Sequence, residues 1–226
     1  MVPECMSNIL AIKSDFYMLL QGPDRNGICS SKAIEILKQN INNYSILSIG
    51  NGMQKNNVTI SLVEQVLKSD KKVVLDADAL WAAQKNIDLL KRNETTLLTP
   101  HIKEMSDLTG INITTILSNP FEVARDFSKE YKNCVLILKS SQTYIAHQGN
   151  VFVLDAQNAG LAKGGSGDIL CGIVVAMLGQ CKNPLQAALC ATYIHSQSAK
   201  LDIDSASFMP EDIINNIPNI LNRLRS

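Results

Sequence analysis

Short apolar runs that stop at polar or glycine-rich turns and then give way to helical patterns recur along this chain, and they leave it few architectures. Ser45 to Ile49 stops at Gly50-Asn51-Gly52, and Lys72 to Leu75 stops at Asp76-Ala77-Asp78. Between them Val58 to Leu67 has helical spacing, and a short helix follows around Ala79 to Ala83. Thr95 to Leu98 then runs into Thr99-Pro100-His101, which opens a helix from His101 to Leu108 closed by Gly110. Asn119-Pro120 starts another helix to about Tyr131, feeding the β-rich run Cys134 to Leu138. Alternation of this kind predicts an α/β fold with a mostly parallel central sheet flanked by helices. In such sheets function collects beyond the carboxyl ends of the strands.

After Lys139 the pattern changes. Thr143 to Ala146 and Asn150 to Leu154 alternate apolar and polar positions about His147-Gln148-Gly149, which predicts a hairpin forming a short antiparallel edge. The glycine loop Gly164 to Asp168 follows, with its helix from Ile169 to about Leu178, then helices from Pro184 to Leu201 and from Met209-Pro210 to Leu224. No repeat or linker divides the chain, so residues 1–226 read as one domain.

The run Gly164-Gly165-Ser166-Gly167-Asp168 enters an apolar helix. Glycines let backbone amides approach an anion, and a helix start adds unpaired N–H groups and partial positive charge. That is a place to hold phosphate. Asp168 would be repelled by such a ligand; it is either a general base for an acceptor hydroxyl or an acid favouring the helix dipole. Asp76 and Asp78 either orient a metal-bound nucleotide or turn the chain and cap the next helix. His101, with Glu104 one turn on, is a substrate-binding imidazole or a structural one. Lys139, followed by Ser140, Ser141 and Thr143, offers donors for a nucleotide, or an exposed turn.

With 21 basic and 21 acidic residues, bulk charge gives no argument for a nucleic-acid partner. No apolar run approaches a membrane span, and Lys13 and Asp15 interrupt Ile9 to Leu20, so no signal peptide is expected and the chain reads as cytoplasmic. Cys5, Cys29, Cys134, Cys171, Cys181 and Cys190 include no CxxC spacing and read as small core residues in a reducing compartment.

In this order, Ile49-Gly50-Asn51-Gly52, Val74 to Leu80 (VLDADAL), Leu98 to Glu104 (LTPHIKE), Leu138 to Thr143 (LKSSQT), Gly164 to Asp168 and Ala191-Thr192-Tyr193-Ile194-His195 resemble the ADP/ATP-dependent NAD(P)H-hydrate dehydratases of the ribokinase-like superfamily. The glycine loop is shared with many sugar and vitamin kinases; TPHxxE with DADAL is narrower. The resemblance implies dehydration of the S-epimer of NADH or NADPH hydrate, with ADP or ATP as co-substrate and Mg²⁺. Asp168 would take the hydroxyl proton as the terminal phosphoryl group arrives, and phosphate would then leave, driven by the ring nitrogen's lone pair. It places Gly52, His101 and Asp168 against the hydrate, and Lys139, Ser140, Ser141, Gln142, Thr143, Gly165, Ser166 and Gly167 against the adenine nucleotide, with no protein metal ligand assigned. It also implies a homo-oligomer, a tetramer in the family.

Three departures accompany the resemblance. Ser140 stands where the family has glycine, so a positive φ there would force the loop to rearrange. Asn51 and Met53 replace residues usual in the family's Gly-Pro-Gly turn. The sequence opens near the family's Pro-Glu stretch, so the glycine-rich segment that precedes it in the family, and any upstream epimerase domain, are expected to be missing. A ribokinase-like vitamin or sugar kinase and a non-catalytic remnant are the competing readings.

Overall fold

In the computed structural model the described residues are 1–13, 16, 18–155, 159–200 and 207–225. The chain begins with β1 (Val2–Pro3), α1 (Glu4–Lys13), β2 (Gln21–Gly22), β3 (Asp24–Arg25), β4 (Ile28–Cys29) and α2 (Lys32–Asn40). The alternating segment follows as β5 (Ile46–Ile49), α3 (Asn57–Leu67), β6 (Lys72–Leu75), α4 (Asp78–Gln84) and β7 (Thr96–Leu98). Next are α5 (Ile102–Thr109), α6 (Ile113–Ser118), α7 (Pro120–Glu130), β8 (Cys134–Lys139), β9 (Thr143–His147) and β10 (Asn150–Leu154). Three longer helices close it: α8 (Ser166–Gln180), α9 (Pro184–Ser198) and α10 (Pro210–Arg225).

Six strands form the central sheet in the order β10-β9-β8-β7-β6-β5. β5 to β8 are parallel, and β9 and β10 are added antiparallel beyond β8. The hairpin joining them pairs His147 with Asn150, leaving Gln148 and Gly149 as the two-residue turn. Both take positive φ, 50° and 81°, the type I′ geometry that matches strand twist.

The sheet's two faces are covered by different helices, as the period-two pattern of β8 demands. Leu136 and Leu138 pack with Val73, Leu75 and Leu98 against α3, α4, α5 and α7. Val135 and Ile137 pack with Val74, Leu97 and Ile145 against α8, α9 and α10. All five residues from Cys134 to Leu138 are fully buried. A strand buried on both faces reads as an unbroken apolar run.

Element edges move where side chains cap. α5 starts at Ile102 because His101 is its N-cap, and Gly110 ends it in the left-handed region, φ 75°. The helix predicted to reach Leu201 is described to Ser198, and residue 201 lies outside the described residues. α1, α2 and α6 are not anticipated by periodicity: α1 buries Ser7, α2 buries Ala33 and α6 buries Ile116. So little of α1 and α6 turns inward that no stripe shows there, whereas α2 does carry one, Ala33, Ile36 and Leu37, with Leu37 packed on the core, and the sequence reading passes over it.

The cysteine expectation needs correction. Cys134 and Cys171 are buried, Cys29 and Cys181 are half-buried, and Cys5 and Cys190 are exposed; all six thiols are free. Burial pushes the Cys134 thiol up to about 12 and that of Cys171 to about 11. No helix among the described residues is long and apolar enough to cross a membrane.

Candidate functional site

The carboxyl ends of β5, β6, β7 and β8 meet the start of α8, and Asp76 is their common point. Only 3% exposed, it follows β6 directly. A carboxylate so buried requires partners. Its Oδ1 accepts from Thr99 Oγ1 at 2.7 Å and from Lys139 Nζ at 3.2 Å, and its Oδ2 accepts from Asn51 Nδ2 at 3.0 Å. Strands β5, β7 and β8 each send one donor to it. The same Asn51 amide donates to Asp168 Oδ1 at 2.5 Å, joining positions 117 residues apart.

Local backbone geometry explains why this turn needs glycine. Gly50 has φ 132°, and a Cβ there would stand 1.8 Å from the Asp76 carbonyl oxygen. Gly52 has φ 68° but open space around it. Ala77 has φ 48° and ψ −124°, a conformation unfavourable for an L-residue, and precedes α4. Asp78 does not serve as that helix's N-cap; its Oδ2 accepts from the Gln54 N–H at 2.8 Å and ties down the loop after β5.

His101 sits at the start of α5 in a reciprocal capping arrangement. Its Nδ1 accepts from the N–H groups of Lys103 (3.1 Å) and Glu104 (3.3 Å), while Glu104 Oε2 accepts from the His101 N–H at 2.8 Å. Accepting there puts the neutral ring's proton on Nε2, 3.5 Å from Glu104 Oε1. The structural reading of His101 holds, since one ring edge caps the helix, and about half of the side chain is exposed. His101 also bridges to Lys139 across the strand ends, with the Lys139 N–H donating to the Pro100 carbonyl at 2.8 Å. Glu104 Oε2 lies 4.0 Å from Lys139 Nζ.

At the glycine loop, Gly165 is the N-cap of α8 with φ 94°, a conformation that favours glycine, whereas Gly164 and Gly167 do not need positive φ. The first helical bond runs from the Ile169 N–H to the Gly165 carbonyl at 3.1 Å, so the amides of residues 166–168 precede the ladder. Of these, the Ser166 N–H already donates to the Lys163 carbonyl at 3.3 Å, leaving Gly167 and Asp168 as the better-placed anion donors. A Cβ on Gly167 would stand 3.6 Å from Lys139 Nζ, so the amine lies beside the loop.

A cavity of about 520 Å³ opens beside Lys139 and Gly167. Its wall includes Lys139, Ser140, Ser141, Thr143, Ser166 and Gly167 among the predicted nucleotide residues. Gln142 and Gly165 are not part of that wall; the Gln142 Oε1 instead accepts from the Tyr144 hydroxyl at 3.0 Å. The Ser140 departure is absorbed without strain. Ser140 does not take a positive φ, and its N–H donates to the Gln142 carbonyl at 3.1 Å.

The sequence reading uses Ala191 to His195 for the resemblance but gives it no place in the site; α9 supplies Thr192, His195 and Ser196 to the far wall of that cavity. The His195 Nε2 lies 2.9 Å from the Ser166 carbonyl and 3.1 Å from its Oγ, fixing the first residue of α8. Burial lowers the His195 pKa to about 4, which keeps the ring neutral and donating from Nε2. Ser196 Oγ, in a residue 1% exposed, has no hydrogen-bond partner among the described residues. The spacing of Thr192, His195 and Ser196 on one helical face was the available signal.

Residues 4–219 match the family model of the NAD(P)H-hydrate dehydratases. The chain belongs to this family. A bifunctional NAD(P)H-hydrate repair enzyme of Moorella thermoacetica is 32% identical over 230 residues, which cover 99% of this chain and 43% of that protein. The ADP-dependent (S)-NAD(P)H-hydrate dehydratase of Bacillus subtilis is 34% identical over 165 residues, 73% of this chain and 58% of that protein. The chain thus spans 43% and 58% of these two proteins' length, under two thirds of either. Among solved structures, the Bacillus subtilis ADP/ATP-dependent dehydratase co-crystallised with ATP and Mg²⁺ superposes with a TM-score of 0.70 at 29% identity. That superposition covers 80% of this chain and 65% of that one.

Proposed function

We propose that this dehydratase-family chain restores NADH or NADPH from its S-epimer hydrate, consuming ADP or ATP. The observation that carries the reading is the Asp168 carboxylate beside the glycine loop, linked through Asn51 and Asp76 to Lys139, with the 520 Å³ cavity adjoining Lys139 and Gly167. The nucleotide occupies the cavity against Lys139, Ser140, Ser141, Thr143, Ser166 and Gly167, and the Ser196 hydroxyl gives it an unused polar group. The hydrate lies against Gly52, His101 and Asp168 on the other side.

Asp168 takes the proton of the hydrate's ring hydroxyl while that oxygen attacks the terminal phosphorus, and the phosphoanhydride bond of ADP or ATP breaks to release AMP or ADP. The N–H groups of Gly167 and Asp168 and the Lys139 amine stabilise charge on the transferring group. The carbon–oxygen bond then breaks with phosphate as leaving group, pushed by the ring nitrogen's lone pair, and loss of a proton from the neighbouring carbon restores the dihydropyridine. Mg²⁺, when bound with the nucleotide, would supply charge neutralisation at its phosphates. Among the described residues no group of three or more His, Cys, Asp or Glu could hold a metal ion.

In this reading residues 1–226 act as one ribokinase-like unit in the cytoplasm, and copies assemble into a homo-oligomer. The test offers the purified chain S-NADH hydrate with ADP or ATP and Mg²⁺ while NADH absorbance is followed. Recovery of absorbance dependent on nucleotide is expected. No recovery, together with phosphorylation of a vitamin or sugar alcohol, would replace the reading with the kinase one; nucleotide binding without any turnover would favour the remnant.

A further inference from the structure

We propose that Asn51 is a positioning residue that aims the Asp168 carboxylate by tying it to the buried Asp76. This rests on the reading above, in which Asp168 takes the hydroxyl proton. An amide nitrogen carries two hydrogens, and Asn51 Nδ2 directs them at two different carboxylates, 3.0 Å from Asp76 Oδ2 and 2.5 Å from Asp168 Oδ1. The two ends differ in freedom. Asp76 is buried and held on its other oxygen by Thr99 and Lys139, whereas Asp168 is exposed on the first turn of α8. The bridge therefore passes the rigidity of the strand ends to a carboxylate that would otherwise sample several rotamers.

The turn that delivers the amide is itself constrained. Gly50, immediately before Asn51, is packed so closely on the Asp76 carbonyl that no Cβ fits. The bridge also places a shared donor between two anions whose distance apart is bounded by two hydrogen bonds, so losing the amide both frees Asp168 and leaves the repulsion between the pair unscreened. Asn51 itself is not part of the nucleotide cavity's wall.

The test compares Asn51→Ala with Asn51→Asp, which keeps shape but replaces the donor by a third carboxylate. Asn51→Ala is expected to lower kcat about tenfold or more with the KM for ADP held within about twofold. Asn51→Asp should fall further despite its better match in size. A kcat unchanged in either variant, or Asn51→Asp as active as the parent, overturns the inference while leaving the proposed function standing. Should the parent itself restore no NADH, that function fails, and the bridge is then decided by a thermal double-mutant cycle. Asn51→Ala and Asp168→Ala are expected to be non-additive in melting temperature, and additive shifts overturn the coupling.

Discussion

Replacing Gly50 by alanine tests whether the candidate site hangs on close backbone packing between β5 and β6. The new Cβ would stand 1.8 Å from the Asp76 carbonyl oxygen and 2.8 Å from both the Asp76 carbonyl carbon and Ala79 Cβ. None of these is the end of a flexible side chain. The carbonyl is held as acceptor of the Ala79 N–H at 3.1 Å, and the Asp76 N–H donates to the Ile49 carbonyl at 3.2 Å, so relief means shifting the ends of two paired strands. A positive φ costs an L-residue roughly 1–3 kcal/mol, and overpacking costs a similar amount, so a loss of about 4 kcal/mol is expected. For a domain of this size that is roughly 8–16 °C in Tm. Gly52→Ala is the control: φ is also positive, 68°, but nothing lies within 4 Å of the added atom, so about 1 kcal/mol and roughly 2–4 °C are expected. Thermal and urea denaturation followed by circular dichroism read both. Melting temperatures for the two variants within about 2 °C of each other would refute the argument from close approach.

Asp168→Asn should abolish NADH recovery while ADP affinity by calorimetry stays within about threefold of the parent; retained turnover would remove the base assignment. Lys139→Met withdraws the cation from the buried Asp76 and from beside Gly167. It should weaken ADP binding at least about tenfold and cost roughly 2–3 kcal/mol of stability, and a variant with unchanged ADP affinity would exclude Lys139 from the nucleotide site. His195 gives a pH test. Burial holds it at about 4 against the 6.5 of a free imidazole, so between those values the unfolded chain binds a proton that the folded chain refuses. Stability therefore falls as pH drops from 6.5 to 4, by roughly 3 kcal/mol at about 1.36 kcal/mol per unit. His195→Gln should flatten that part of the urea-midpoint profile, and parent and variant profiles of equal slope would contradict it.

The parallel sheet and its antiparallel edge are legible in the sequence because burial imposes period. β8 is buried on both faces and reads as a continuous apolar run, while β9 and β10 end at a turn whose glycine accepts positive φ. The strand-end residues are legible for the same reason, since Asp76 and Lys139 adjoin an apolar run directly and His101 comes three residues after one. Helices α1 and α6 are not, because each turns so little inward that no apolar stripe is required, while α2 carries its stripe, Ala33, Ile36 and Leu37, within only nine residues and is passed over.

What the sequence by itself determined was local: where strands stop, that a glycine loop enters a helix, and which polar residues gather at the ends. Tertiary structure decided which of those residues meet. The amide of Asn51 joins Asp76 and Asp168, and His195 holds Ser166 from 29 positions away, pairings set by strand order and helix packing rather than by any spacing along the chain. Hydrogen bonds act over about 3 Å, and chain distance carries no record of that proximity until the sheet has formed.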